Sequence, residues 1–131
     1  MSYKPDNYNS LSPYFVVDGA EKYMELIQDI FEGELLRRYD GADGKIVHAE
    51  MRIDDSVLMF SNSSDAFQPN QLLIHLYVPD VDKTFQRAID LGCVSLGEPK
   101  ENPGDPDRRG NFRDPYGHFW SVSTQVVESE Q

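Results

Sequence analysis

The apolar residues that begin at Ala20 return in the same order at Val81, and this repetition constrains the fold more than anything else in the chain. Ala20, Tyr23, Met24, Ile27, Ile30 and Phe31 recur at intervals of three and four, the spacing of one face of an α-helix. A shift of 61 places Ala20 on Val81, Met24 on Phe85, Ile27 on Ala88 and Ile30 on Leu91. Strand-like runs flank both helical stretches in the same order, so the chain reads as one βαβββ unit used twice.

In the first unit, residues 11–17 form a strand rich in aromatic and β-branched residues (Tyr14, Phe15, Val16, Val17). Asp18-Gly19 breaks it, the helix follows, and Gly33 closes the helix. A strand over 34–39 and a glycine turn lead to an alternating strand over 45–53. Its alternation puts Lys45, Val47, Ala49, Met51 and Ile53 on one face and Ile46, His48, Glu50 and Arg52 on the other. Asp54-Asp55 turns the chain into a fourth strand over 56–61, and the polar segment 62–70, with Pro69, marks an internal boundary.

The second unit opens with a strand over 72–78 and a helix capped by Asp80, with Val81, Phe85, Ala88, Ile89 and Leu91 on its apolar face up to Gly92. A strand over 93–96 and a loop over 99–107 precede the block Asp114-Pro115-Tyr116-Gly117-His118-Phe119-Trp120. Pro115 presets the second position of a tight turn there and Gly117 supplies the left-handed residue that closes it, so the block is a hairpin between 110–113 and 118–124. The expected fold class is therefore α+β: one domain over 1–131, with modules over 11–61 and 72–126 joined by a linker over 62–71.

A βαβββ unit covers one face of its sheet with its helix and leaves the other open. Two such units are expected to curl their open faces into one mixed sheet around a groove, where a small ligand sits. Tyr14 shares a strand face with Ser12 and Val16, and the shift of 61 makes His75 its mate, beside Leu73 and Tyr77. On the last strand Phe119, Ser121 and Ser123 face the groove, while His118, Trp120 and Val122 face the helices. Trp120 is a core anchor whose indole N–H needs one partner. The expected ligand-binding residues are Tyr14, His75, Tyr77, Phe119 and Ser121.

Charge narrows the partner: 12 basic against 23 acidic side chains give −11, which excludes nucleic acid and anionic membrane surfaces and permits a cationic ligand. Cys93 is the single cysteine, so no intrachain disulfide forms and a reducing compartment fits. Residues 1–12 carry no apolar run of the kind a signal peptide or membrane span needs, which makes the cytoplasm the expected location. No nucleophile elbow, phosphate loop or Cys/His zinc pattern is present.

The tandem order, together with Tyr14-Phe15-Val16-Val17-Asp18, His48-Ala49-Glu50, Leu76-Tyr77-Val78-Pro79-Asp80-Val81-Asp82, Asp107-Arg108-Arg109-Gly110 and the Asp114 to Trp120 block, resembles the vicinal oxygen chelate superfamily of glyoxalases, bleomycin-resistance proteins, fosfomycin-resistance enzymes and dioxygenases, and within it the PhnB-like branch. The likeness spans residues 10–126. It implies a glyoxalase-like fold, a small-molecule ligand and a homodimer, and it leaves open whether the dimer is domain-swapped.

Metal-using members of that superfamily hold one divalent ion with His and Glu at positions that the resemblance carries onto Ser12, Met59, Leu73 and Ser121. Ser and Met are poor ligands for such an ion and Leu is none, so no metal or other cofactor is expected. His48 and Glu50, two apart on one strand and so about 7 Å from each other, are the other candidates, as an acid/base pair or, with His75, as a partial metal site. The leading reading is a metal-independent binding protein of the bleomycin-resistance type for a small cationic or aromatic ligand. An alternative is a divalent-metal lyase, isomerase or dioxygenase using His48, Glu50 and His75, and another is an interaction module without a small ligand. Whether any reaction is catalysed stays open at this point.

Overall fold

A computed structural model describes residues 1–128. Its elements run β1 (Tyr14–Val17), α1 (Ala20–Phe31), β2 (Glu34–Asp40), β3 (Ile46–Ile53), β4 (Ser56–Asn62), β5 (Leu73–Tyr77), α2 (Val81–Asp90), β6 (Val94–Glu101), β7 (Asp107–Arg113) and β8 (Phe119–Gln125). This is the βαβββ order twice over, an α+β fold of the glyoxalase-like type. The strands form two four-stranded sheets, β1-β4-β3-β2 and β5-β8-β7-β6, in each of which the first strand of the unit runs parallel to the last and the other neighbours are antiparallel. The chain divides into two compact units, Met1–Asn70 and a second that begins at Gln71. No helix among the described residues is long and apolar enough to cross a membrane.

In the first unit Phe15, Tyr23 and Phe60 pack ring to ring, with Phe15 and Phe60 stacked at 5.3 Å, and Ala20, Ile27 and Ile30 are fully buried with them. The apolar stripe of α1 thus covers one face of this sheet. The N-cap residue of α1, Gly19, has no side chain with which to cap the helix. Asn62, at the end of β4, does so from across the unit: its Oδ1 accepts from the backbone N–H groups of Gly19 and Ala20, and its Nδ2 donates to Glu21 and to the Ile46 carbonyl. Glu32, at φ 57°, takes the left-handed position that ends the helix, so Gly33 is one residue past the place expected for it. Gly33 is required for another reason, since a Cβ there would come within 2.8 Å of Met51 Cγ.

The alternation expected along 45–53 holds only in part. Ala49, Met51 and Ile53 are buried, but Val47 is 60% exposed and Ile46 is 2% exposed. Tyr39 pairs with His48 and Asp40 with Ile46, so Val47 is a bulge that reverses the faces before it.

In the second unit Val81, Thr84, Phe85 and Ala88 form the buried stripe of α2, and Asp80 caps its first turn through the Lys83 N–H. Leu91, expected on that stripe, lies beyond the last turn and is 41% exposed, because α2 has 10 residues against 12 in α1. β6 runs through Pro99 to Glu101, where a loop was expected. Its pairing with β7 is irregular between Gly97 and Lys100, which is where a ladder tolerates proline. The Asp114 hairpin forms as expected, with Gly117 at φ 90° and the Asp114 N–H bonded to the His118 carbonyl.

Candidate functional site

The parallel pairing of β1 with β4 sets Tyr14 opposite Met59, and Met59 lies opposite Glu50 on β3. Tyr14, Met59 and Glu50 therefore share the sheet face that α1 does not cover, and His48, two residues before Glu50, lies on it as well. There the side chains close into a chain of hydrogen bonds. Tyr14 Oη is 2.9 Å from His48 Nδ1, and His48 Nε2 is 2.8 Å from Glu50 Oε2. The second carboxylate oxygen accepts from Tyr8 Oη at 2.6 Å. Arg37 adds charge at 3.7 Å from Glu50 and lies over the Tyr8 ring. The 7 Å expected between His48 and Glu50 is thus closed to direct contact by side-chain rotation toward each other.

Glu50 is only 5% exposed. Burial alone would raise its pKa, but the hydrogen bonds from Tyr8 and His48 and the charges of His48 and Arg37 outweigh it and hold the carboxyl below its ordinary value. Glu50 is therefore a carboxylate at neutral pH and can only accept hydrogen bonds. Burial and the bond to Glu50 push the Tyr8 hydroxyl the other way, so Tyr8 keeps its proton. With all four of their polar atoms bonded to protein partners, His48 and Glu50 would have to surrender these contacts to take a metal ion.

Beside this chain lies a cavity of about 390 Å³ lined by Tyr14, Val16, Ser61, Phe67 and Asn70. Val16 lies opposite Ser61 in the parallel pairing, on the same face as Tyr14. Phe67 comes from the segment after β4, is 69% exposed, and is positioned by its N–H bond to Ser64 Oγ and its carbonyl bond to the Ser64 N–H. Asn70 binds the free edge of β1: it bonds Val16 through backbone N–H and side-chain Oδ1, and its Nδ2 donates to the Tyr14 carbonyl. That contact protects an edge strand that has no second neighbour in the sheet.

In the second unit β5 pairs with β8 so that His75 lies opposite Ser121, Leu73 opposite Phe119 and Tyr77 opposite Ser123. His75 Nε2 is 3.1 Å from Ser123 Oγ, and the His75 ring meets Tyr77 edge-on at 4.7 Å. Tyr77 Oη donates to Asp107 Oδ2, which also meets Arg109. Burial and the Arg109 charge lower the His75 pKa against the pull of Asp107, favouring neutral imidazole. His118, turned to the other face, is fully buried with its Nδ1 accepting from the Leu72 N–H, and burial lowers its pKa as well. Trp120 finds its partner in Asp114, at 2.9 Å.

A superfamily model described as Glyoxalase/Bleomycin resistance protein/Dioxygenase superfamily matches residues 11–122. The chain belongs to this superfamily. Consistent with that membership, it is 34% identical over 130 residues to an uncharacterised protein of Mycobacterium bovis, covering 91% of this chain and 85% of the relative. Two solved structures share the superfamily fold. An antibiotic binding protein, TnmS3 from Streptomyces sp. CB03234, has a TM-score of 0.66 at 22% identity, with 89% of this chain and 97% of that one covered. A PhnB protein from Bacillus cereus also has 0.66, at 19% identity, with 88% and 99% covered.

The superfamily's usual metal is tested by the donors present. Ser12 lies before β1, Met59 carries a thioether, Leu73 is 75% exposed and apolar, and Ser121 is a neutral hydroxyl. This donor set does not fit a divalent ion that prefers imidazole and carboxylate. Among the described residues, no group of three or more His, Cys, Asp or Glu is placed to hold a metal.

The structure brings Tyr14, His48 and Glu50 together in the first unit and His75, Tyr77, Phe119 and Ser121 onto two neighbouring strands of the second. Sequence reasoning missed Tyr8, Phe67 and Asn70. Tyr8 lies outside any periodic stretch, while Phe67 and Asn70 fall in a polar segment read only as a boundary. An isolated aromatic residue in such a segment was the one available signal.

Proposed function

We propose that this chain is a small-molecule-binding protein of the bleomycin-resistance type, which holds its ligand without a metal against Tyr14 in the first unit. The observation that carries this reading is the cavity walled by Tyr14, Val16 and Phe67, two rings and a branched aliphatic side chain beside few free polar groups. Such a composition suits a flat, largely apolar molecule. An overall charge of −11 favours a cationic one. In the second unit His75, Tyr77, Phe119 and Ser121 offer a further set of ligand-facing side chains. Superfamily membership adds a homodimer to the proposal.

The test is a heteronuclear NMR titration of chelator-treated protein with a panel of aromatic cations. Saturable shifts at the amides of Tyr14, Val16, Ser61, Phe67 and Asn70 support the reading. Shifts that appear only after Zn²⁺ or Mn²⁺ is added, centred on His48 and His75, would replace it with the metal-dependent enzyme. Sedimentation at several concentrations decides between monomer and dimer.

A further inference from the structure

With His48 neutral, the hydrogen-bond chain that ends at Tyr14 runs in one direction, and that direction selects the ligand. Glu50 is a buried carboxylate that can only accept, so the proton on His48 stands on Nε2, the nitrogen facing Glu50. In the neutral imidazole Nδ1 is then a lone pair, and the hydrogen bond at 2.9 Å is donated to it by the Tyr14 hydroxyl. The single proton of Tyr14 is thereby committed, leaving its oxygen with lone pairs only. Tyr8 strengthens the polarity by donating to the other Glu50 oxygen. Asn70, the other strongly polar side chain of the cavity wall, spends both ends of its amide on the backbone of β1.

From this geometry we infer that, with His48 neutral, the Glu50–His48–Tyr14 chain makes Tyr14 Oη a hydrogen-bond acceptor, so that the first-unit cavity selects an aromatic ligand carrying an N–H donor, best a primary or secondary ammonium. The inference rests on the proposed binding role of this cavity and adds the chemical class that it takes. At Tyr14 Oη an acceptor-only ligand such as a ketone finds two oxygens facing each other and no proton between them, and the donor left to it in the wall is the Ser61 hydroxyl. An ammonium donates to Tyr14 Oη, its charge lies toward the buried carboxylate at the far end of the chain, and the Tyr14 and Phe67 rings offer cation–π contact. The relay positions Tyr14 and fixes its role, and Glu50 does so without touching the ligand.

The chain reverses when its anchor is changed. In Glu50→Gln the amide oxygen still accepts from Tyr8, and the amide nitrogen donates to His48 Nε2. His48 then carries its proton on Nδ1 and donates to Tyr14 Oη, which frees the Tyr14 proton for a ligand.

The experiment is calorimetry at about pH 8, above the ordinary imidazole range, with three probes: 2-phenylethylammonium, its N,N,N-trimethyl analogue, and 4-phenyl-2-butanone. Wild type is expected to bind the ammonium about tenfold more tightly than the trimethyl analogue and more tightly still than the ketone. Tyr14→Phe is expected to bring the two cations within about twofold of each other, and Glu50→Gln to raise ketone affinity while lowering that of the ammonium. Comparing the same probes across variants cancels the bulk of the added methyl groups. Should Glu50→Gln not fold, Tyr14→Phe decides alone. Discrimination that survives Tyr14→Phe, or equal affinity of the two cations in wild type, overturns the inference and leaves the binding role intact. No binding of any probe overturns both.

Discussion

Trp120 Nε1 donates to Asp114 Oδ2 at 2.9 Å, inside the second unit, where Asp114 is 2% exposed. The other oxygen of Asp114 accepts from the backbone N–H groups of Tyr116 and His118. One carboxylate therefore closes the Asp114 turn and anchors the largest buried side chain of its unit.

Asp114→Ala removes the carboxylate that accepts from three buried or half-buried N–H donors, and is expected to cost about 3 kcal/mol. Asp114→Asn keeps one acceptor and costs less. Urea unfolding followed by the fluorescence of Trp120, the single tryptophan, measures both. Loss below about 0.5 kcal/mol for the alanine variant would show that the turn is held by other contacts.

Asn62 is expected to matter beyond a surface polar residue, because it supplies the helix cap that the chain before α1 lacks. Asn62→Ala removes two capping acceptor contacts and two donor contacts, and is expected to cost about 2 kcal/mol. Equilibrium unfolding with an unchanged denaturant slope checks it, and amide exchange should speed up first at Ala20 and its neighbours. Unaltered exchange there would contradict the capping role.

Glu50 ties stability to pH with a definite sign. Its folded pKa lies below the ordinary carboxylate value, so its contribution is complete above the unfolded value of about 4.3 and is lost as pH falls through the folded one. The melting temperature of wild type should exceed that of Glu50→Gln at pH 6 to 7, and the gap should close below about pH 4. A gap that is constant or widens in acid would mean that the carboxylate is not the form the fold holds.

Much of this was legible in the residues. The spacing of Ala20, Met24 and Ile27 against Val81, Phe85 and Ala88 identified both helices and the repeat, because a helix shows its buried face at a period that survives substitution. Turn chemistry identified the Asp114 hairpin. Leu91 and Val47 went the other way for local reasons, a helix ending one residue early, at Asp90, and a bulge in a strand, neither of which leaves a periodic trace. At the site, His48 and Glu50 were found as a pair because they sit two apart on one strand. Tyr8, 42 residues away from Glu50, reaches it only through the fold, and Asn70 acts through a side-chain amide that any polar loop residue resembles. The direction of the Tyr14 chain depends on the burial of Glu50, which no single-residue pattern displays.

The central claim, ligand binding in the first unit without a metal, is tested most directly by calorimetric titration of chelator-treated wild type and Phe67→Ala with 2-phenylethylammonium. Saturable binding that is unchanged by added Zn²⁺ or Mn²⁺ and weakened about tenfold by Phe67→Ala, as loss of one aromatic wall predicts, is the expected result. Binding that requires the metal and ignores Phe67 would contradict it.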